Sequence, residues 1–228
     1  MEHYVWAKSF SCSVIHPDFL TTKHPICPAF YGLPKIHKTI VDPPLRPIVS
    51  GNGSLIEPMS QYIDSFIKKL VPDLPAYLGD TTDILNAVDH LKVSTDCILA
   101  TLDVQSLYTN IPHTGGLEAL THFLEKRPEG ISPPNEFLLT LTEMALKMNF
   151  FQYGGSYYIQ SQGTAMGAAF APNYANLFMG YWEQKCIDNP ATNTFHSKIS
   201  LYRRYIDDIF MIWNGSEDEF TSRGPNMR

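Results

Sequence analysis

The chain of 228 residues is 44% apolar, which is enough to bury a core in one large domain or two coupled subdomains and excludes a disordered tail. Its net charge of −6 disfavours a nucleic-acid partner, although basic residues outnumber acidic ones in the first fifty positions. The four cysteines lie far apart with no Cys-x-x-Cys pair, which argues against a zinc site or a disulfide framework and favours a reducing compartment.

The first part of the chain changes from irregular to helical. Residues 1–54 are rich in Pro, His and aromatic side chains, and only Leu45–Ser50 is predicted as a strand. From Ile56 to Leu70 the apolar residues keep helical spacing, which predicts a first helix. A second helix is predicted over Thr82–Leu91, with Thr81 or Thr82 as its N-cap.

Further along the chain, strands and helices alternate. Cys97–Leu102 carries no charge and is predicted to be a buried strand that ends next to Asp103. The β-branched and aromatic runs Ile199–Tyr205 and Ile209–Trp213 predict a hairpin with Asp207 and Asp208 at its tip. The elements predicted between them are helices at Gly116–Lys126, Pro134–Met148 and Ala169–Ile187, and a hairpin at Phe150–Ile159 around Gly154 and Gly155. Helices mixed with antiparallel hairpins imply an α+β fold.

Asp103, Asp207 and Asp208 therefore all lie at predicted strand ends, where rigid elements could hold them together. Two unit charges ~4 Å apart repel by about 4 kcal/mol at an effective dielectric of about 20, so a cluster of carboxylates calls for a bound cation. Mg²⁺ prefers oxygen ligands, and a pair of such ions can clamp the attacking and leaving oxygens of a phosphoryl transfer. An Asp-Asp pair considered alone is more often a solvated turn.

Several sequence blocks surround these aspartates in a definite order. They are Phe30–Lys38, Leu45–Val49, Leu102–Tyr108, Gln162–Thr164 with Pro172 and Asn176–Phe178, and Tyr205–Asp208. Together these blocks resemble reverse transcriptases, in the form typical of Penelope-like retroelements, over about Phe30 to Phe220. The resemblance implies the fingers and palm of a right-hand polymerase, in which an antiparallel palm sheet packs on helices.

The resemblance also implies a metal-dependent reaction. Asp103 and Asp207 would bridge two Mg²⁺ ions, with Asp208 completing the cluster and Mn²⁺ as a substitute ion. One metal would activate the primer 3′-hydroxyl, and the other would neutralise the triphosphate and the leaving pyrophosphate. The implied partners are an RNA template, a DNA primer and deoxynucleoside triphosphates.

Two tyrosines receive roles from the same resemblance. The ring of Tyr108 would lie under the sugar of the incoming nucleotide and exclude a 2′-hydroxyl, and Tyr205 would contact the primer end. The alternatives are an ordinary amphipathic strand-end residue at Tyr108 and a structural strand tyrosine at Tyr205.

The remaining implied contacts are with the nucleotide. Arg46 is a candidate triphosphate clamp because a guanidinium binds phosphate oxygens in a bidentate manner, with Lys35 or Lys38 nearby. Gln162 and Gly163 would support the nucleotide and the template base. The alternatives are solvated surface charges at Arg46, Lys35 and Lys38, and tight helix packing for the small residues around Gly163.

The predicted domain division follows the blocks. The tail Thr221–Arg228 continues no strand and starts no convincing helix, so the thumb and a GIY-YIG endonuclease domain are expected to be missing from this chain. The predicted segments are 1–95, the N-terminal segment and fingers; 96–112, the palm with the first catalytic strand; 113–160, helices and a hairpin of the fingers and palm; and 161–228, the palm with the Asp-Asp hairpin and a truncated tail.

Two other functions and a location complete these expectations. A catalytically inactive retroelement remnant with weak nucleic-acid binding is the first rival, and an unrelated metal-dependent nuclease is the second. Glu2, His3 and Lys8 interrupt the first ten residues, which argues against a signal peptide, and polar residues within 148–182 argue against a membrane span. The family resemblance implies a nuclear location, with the cytoplasm as the alternative.

Overall fold

The computed structural model describes residues 17–223, so the signal-peptide prediction and the last five residues of the predicted tail lie outside the described part. The strands are β1 (Phe30–Pro34), β2 (Leu45–Val49), β3 (Ile98–Asp103), β4 (Phe150–Tyr153), β5 (Ser156–Ile159), β6 (Ile199–Tyr205) and β7 (Asp208–Trp213). The α-helices are α1 (Glu57–Ile67), α2 (Thr81–Asp89), α3 (Leu107–Asn110), α4 (His113–Leu124), α5 (Asn135–Lys147), α6 (Ala171–Cys186) and α7 (Glu217–Arg223), with 3-10 turns at Pro17–Leu20 and His196–Lys198. The predicted α+β class is confirmed.

The chain forms two compact units. The first contains the described residues up to Lys69 together with Tyr108–Tyr174, and the second contains Leu70–Leu107 together with the described residues from Ala175 onward. Each unit draws on two separate stretches of the chain.

The first unit combines a helical core with two hairpins. Helix α5 packs against α1 and α4. Strands β1 and β2 form one antiparallel pair, and β4 and β5 form another. Gly154 and Gly155 connect β4 to β5 with φ values of +56° and +80°, as a two-residue turn with left-handed residues requires. The predicted hairpin at this place is confirmed. The side chains that fill the helical core include Ile63, Ile67, Leu120, Leu124, Leu138 and Leu141.

The second unit is built on a three-stranded antiparallel sheet in the order β3-β7-β6. Alternation along the strands separates its two faces, because successive side chains of a strand point to opposite sides. One face contributes Ala100, Met211 and Trp213 to a hydrophobic core that also includes Ile187 of the segment after α6. The opposite face carries the exposed residues Leu99, Thr101 and Asp103, so the prediction that this strand is buried is wrong, because the hydrophobic core covers only its other face.

Three local predictions differ from the structure. Asp80 caps helix α2, since its carboxylate accepts hydrogen bonds from the amides of Thr82 and Asp83, so neither predicted threonine is the N-cap. Helix α4 begins at His113, three residues before the predicted Gly116. The prediction that residues 30–34 are irregular is wrong: β1 forms there although Gly32 and Pro34 disfavour a strand, because pairing with β2 provides backbone hydrogen bonds.

Helix α7 is a further element that the sequence did not predict. It covers Glu217–Arg223 and therefore includes the first residues of the predicted irregular tail. Ser216 precedes it, and the Ser216 hydroxyl accepts a hydrogen bond from the amide of Glu219 while the Glu219 carboxylate accepts one from the amide of Ser216. This reciprocal pair is a capping box, which makes Ser216 the start signal that was overlooked.

Candidate functional site

Three of the predicted site residues form one row across the sheet of the second unit. Asp103 on β3 pairs directly with Asp208 on β7, and Asp208 pairs in turn with Tyr205 on β6. Directly opposed residues of antiparallel strands point to the same face, with Cβ atoms about 4.5–5.5 Å apart. Asp103, Asp208 and Tyr205 are all exposed there. The strands therefore bring two carboxylates and an aromatic ring together at one end of the sheet.

Asp207 occupies the turn beside this row. Strands β6 and β7 are joined by only two residues, Ile206 and Asp207, and Ile206 has a φ of +56°. A positive φ at the first turn position normally selects glycine, and a β-branched residue there costs of the order of 1–3 kcal/mol. The Asp207 carbonyl accepts a hydrogen bond of 2.9 Å from the amide of Val104, which follows β3. The backbone of the turn is thus tied to the strand that carries Asp103.

A buried polar cluster lies on the core-facing side of β6, opposite to the face that carries Tyr205. Arg204 on β6 is fully buried, and its Nε donates to Glu183 Oε1 at 2.5 Å in an ion pair. The Arg204 Nη1 group donates to Asn176 Oδ1 at 2.7 Å and to the carbonyl of Ile206 at 2.9 Å. Burial raises the pKa of Glu183, and the charge of Arg204 opposes that shift. The cluster therefore connects helix α6 to the turn that holds Asp207.

The aspartates offer the donor atoms that a divalent cation prefers. Their carboxylate oxygens suit Mg²⁺, which is commonly bound by one or two carboxylates together with water and substrate phosphates. Asp103 Oδ2 also accepts a hydrogen bond of 2.7 Å from Gln105 Nε2, which orients this carboxylate. Among residues 17–223, no group of three or more His, Cys, Asp and Glu side chains is already assembled as a metal site. The opposed Asp103 and Asp208 thus fit a cation that takes its remaining ligands from elsewhere.

In the first unit, the structure brings together two segments that were predicted to face the nucleotide. The amide of Thr164 donates to the carbonyl of Tyr108 at 2.7 Å, and the amide of Gly163 donates to the carbonyl of Ile111 at 3.1 Å. Gln162 Nε2 donates to the carbonyl of Asn110 at 3.3 Å. Tyr108 lies in helix α3 and is half-buried, so it is not at a strand end. The Gln162–Thr164 segment therefore packs directly along α3.

Gly163 allows this close approach. Its φ is +75°, and a Cβ atom built on it would lie 2.4 Å from the carbonyl oxygen of Tyr108. That distance is far inside van der Waals contact, so only glycine fits here on both conformational and steric grounds. Close backbone packing against Tyr108 therefore accounts for a glycine at position 163.

The basic candidates share the first hairpin. Arg46 lies on β2 opposite Leu33 and is exposed, while Lys35 and Lys38 lie in the connection between β1 and β2. The amide of Lys35 donates to the carbonyl of Pro44 at 2.9 Å, which closes the connection. A cleft of about 300 Å³ in this unit borders both the hairpin and the Gln162–Thr164 segment. Its lining includes Phe30, Pro47, Thr109, Gln162 and Thr164.

Comparison with known proteins decides the family. Residues 34–224 match the model described as "Reverse transcriptase (RNA-dependent DNA polymerase)". The chain belongs to the reverse transcriptase family. Members of this family are RNA-directed DNA polymerases, and the match covers the Tyr205–Asp208 turn, Asp103 and the Gln162–Thr164 segment. No curated protein shows significant sequence similarity to this reverse transcriptase chain.

Solved telomerase structures have the same fold as this reverse transcriptase. Apo telomerase from Candida tropicalis, truncated from its C-terminal domain, aligns with a TM-score of 0.60 at 11% identity, over 97% of this chain and 52% of that chain. Telomerase from Candida albicans in complex with a TWJ fragment of telomeric RNA aligns with a TM-score of 0.58 at 11% identity, over 97% and 45%. This reverse transcriptase chain therefore spans about half the length of these telomerase chains.

The buried cluster of Arg204, Glu183 and Asn176 was not predicted from the sequence. A signal for it exists, because Asn176 and Glu183 are seven residues apart and therefore share one face of a helix. Arg204 occupies a core-facing position of β6, between exposed Tyr205 and half-buried Arg203. A charged residue at a buried strand position requires a buried partner, and these two helix residues supply it.

Described helices include none that is both long and apolar enough to cross a bilayer.

Proposed function

We propose that this chain is the catalytic core of a Penelope-like retroelement reverse transcriptase, which adds deoxynucleotides to a primer 3′-end on an RNA template. The observation that carries this proposal is the opposition of Asp103 and Asp208 on an exposed sheet face, with Asp207 in the adjoining turn. Family membership supplies the reaction class. Segments 96–112 and 161–228 would form the palm, and the protein would act in the nucleus.

Each predicted residue has a role in this proposal. Asp103, Asp207 and Asp208 would hold two divalent ions, Mg²⁺ in the cell, which supply positive charge for the primer oxygen and the triphosphate when they are bound. Tyr205 lies beside Asp208 in the cross-strand row, and this position supports a contact with the primer end. The carboxylates would hold and orient the ions that compensate the negative charge, so catalysis by this chain would rest mainly on positioning.

The first unit would bind the incoming nucleotide. Arg46, Lys35 and Lys38 share one hairpin, which supports a common role in binding the triphosphate. Tyr108 would exclude the 2′-hydroxyl of a ribonucleotide. The hydrogen bonds between the Gln162–Thr164 segment and α3 support a shared nucleotide surface formed by Tyr108, Gln162 and Gly163.

The experiment is primer extension with the purified chain on matched RNA and DNA templates, with Mg²⁺, with Mn²⁺ and with chelator. We expect extension on RNA that requires a divalent ion and falls at least about 1,000-fold in Asp207→Asn, because the carboxylate charge is essential to ion binding. Extension by Asp207→Asn at the wild-type rate would refute the metal-site assignment. A folded wild-type chain that extends no primer would favour the inactive remnant, and primer shortening would favour the nuclease.

A further inference from the structure

The guanidinium of Arg204 is fully satisfied inside the second unit. A guanidinium has five N–H donors in a rigid fork. Besides the bonds to Glu183 Oε1, Asn176 Oδ1 and the Ile206 carbonyl, Nη2 donates to Glu183 Oε2 at 3.2 Å and to the Asn176 carbonyl at 3.3 Å. Each donor thus has its own acceptor, and one of those acceptors belongs to the turn that carries Asp207.

The backbone of Arg204 is held as well. Its amide donates to the carbonyl of Ala76 at 2.7 Å, and its carbonyl accepts from the amide of Leu78 at 2.9 Å. The segment around Tyr77 therefore extends the sheet beside β6 at this one position, where Tyr77 and Arg204 form a parallel bridge. With both backbone and side chain fixed, Arg204 is a rigid support from which a hydrogen bond can position the turn.

The turn needs such support. Ile206 holds a left-handed backbone conformation that β-branched residues disfavour, so the isolated turn would tend to relax. Relaxation at Ile206 would move Asp207 and change the pairing of Asp208 with Asp103. The hydrogen bond from Arg204 Nη1 acts at the carbonyl of Ile206 itself, between the strained residue and the first aspartate of the pair.

We propose that Arg204 is a positioning residue that holds the Ile206–Asp207 turn, and with it the aspartates of the active site, through its bond to the Ile206 carbonyl. The role rests on the proposed polymerase function. Glu183 and Asn176 compensate the buried charge and fix the direction of the guanidinium fork. A purely structural ion pair would need only Glu183, and the bond to the turn would be incidental.

Two variants separate these roles. Arg204→Lys keeps the positive charge next to Glu183, but its single nitrogen cannot reproduce a fork directed at Glu183, Asn176 and Ile206. The double variant Arg204→Met with Glu183→Leu removes both charges, and replacing a buried pair by apolar residues of similar volume is often tolerated. Lys198→Met is the matched control, because it breaks the ion pair between Lys198 and Glu219 next to the end of β6 away from the turn.

Hydrogen exchange provides a readout that does not depend on activity. The amide of Val104 donates to the Asp207 carbonyl, so its protection reports whether the turn remains in place. In Arg204→Lys and in the double variant we expect the Val104 amide to exchange at least about tenfold faster. The kcat of primer extension should fall about 10- to 100-fold with the dNTP KM changed less than threefold, because misplacement of about 1 Å carries such a cost.

The possible outcomes distinguish a positioning role of Arg204 from a purely structural one. If the double variant retains its unfolding midpoint, Val104 protection and kcat, the positioning role is wrong and the cluster is only structural. Lys198→Met should leave Val104 exchange and kcat within twofold of the wild-type values. If the wild-type chain extends no primer, the polymerase proposal fails, whereas the exchange rates of Val104 still decide the role of Arg204.

Discussion

Asp103 and Asp208 face each other directly across two antiparallel strands, with no basic side chain in their cross-strand row. Like charges in opposed strand positions repel, which destabilises the sheet by roughly 0.2–1 kcal/mol. The two carboxylates are held close together at an exposed sheet end in spite of this destabilisation, which indicates a functional reason for their proximity. A divalent cation bound between the two carboxylates, as proposed above, would explain the pair, because each carboxylate would attract the cation more strongly than the two repel each other.

The first prediction concerns the repulsion between Asp103 and Asp208 and its relief by a divalent cation. Without divalent ions, Asp208→Asn should raise the free energy of unfolding by roughly 0.2–1 kcal/mol, since it removes the repulsion. Added Mg²⁺ should raise the free energy of unfolding of the wild-type chain by about 2.7 kcal/mol at one hundred times its Kd, and therefore its Tm, and should stabilise Asp208→Asn clearly less because one ligand of the cluster is lost. Thermal denaturation with and without Mg²⁺ measures both effects. Asp89→Asn, at an exposed position on α2, is the control and should respond like the wild type. Equal Mg²⁺ shifts in all three proteins would exclude the aspartate pair as the ion site.

The second prediction concerns sugar selection by Tyr108. If Tyr108 has the proposed role, replacing it by Ala should admit ribonucleotides and lower the ratio of dNTP to rNTP incorporation efficiency about 10- to 100-fold, because the ring proposed to exclude the 2′-hydroxyl is lost. Tyr108→Phe keeps the ring and should preserve the ratio. Single-nucleotide primer extension with paired dNTP and rNTP substrates measures it. An unchanged ratio in Tyr108→Ala would assign the residue a packing role within α3.

Much of this fold could be predicted because local patterns specified it. The uncharged run before Asp103 and the aromatic runs around Asp207 and Asp208 placed the observed strands, although the lack of charge before Asp103 did not reveal that one face of β3 is exposed. Gly154 and Gly155 placed the β4–β5 turn for a reason that is equally local, since two adjacent residues need a positive φ.

The features that escaped prediction depend on contacts between distant parts of the chain. The opposition of Asp103 and Asp208 is a matter of strand register over more than one hundred residues, and a shift of one position would turn one carboxylate to the other face. Arg204 finds Glu183 and Asn176 only after α6 and β6 have packed. Strand β1 exists because β2 pairs with it, although its own composition favours a loop.

The third prediction tests the close approach at Gly163. Gly163 and Gly130 have nearly equal φ values, +75° and +72°, but a Cβ atom on Gly130 would meet no atom within 4 Å, whereas one on Gly163 would overlap the Tyr108 carbonyl at 2.4 Å. Gly130→Ala should therefore cost only the left-handed backbone penalty, about 1–2 kcal/mol. Gly163→Ala should cost about 1–3 kcal/mol more, because the backbone of α3 must move. Urea denaturation gives both values, and equal losses would show that the segment adjusts without strain.

The fourth prediction concerns the contact between Gly116 and Tyr174. Alanine is favoured over glycine inside a helix by about 1 kcal/mol, yet a Cβ on Gly116 in α4 would lie 1.9 Å from the Tyr174 hydroxyl oxygen and 2.5 Å from its Cζ. Gly116→Ala should thus destabilise the chain, against its helix propensity, by about 1–3 kcal/mol. That hydroxyl is buried and finds no hydrogen-bond partner among the described residues, so Tyr174→Phe should be neutral or stabilising.

Combining the two substitutions completes the cycle. Tyr174→Phe removes the nearer of the two clashing atoms and leaves Cζ, so the loss caused by Gly116→Ala should become smaller in this background without disappearing. We expect a coupling free energy of about 0.5–3 kcal/mol from urea denaturation of the four proteins. Additive effects would show that the Tyr174 ring turns aside in Gly116→Ala, and that the glycine is present for a reason other than this contact.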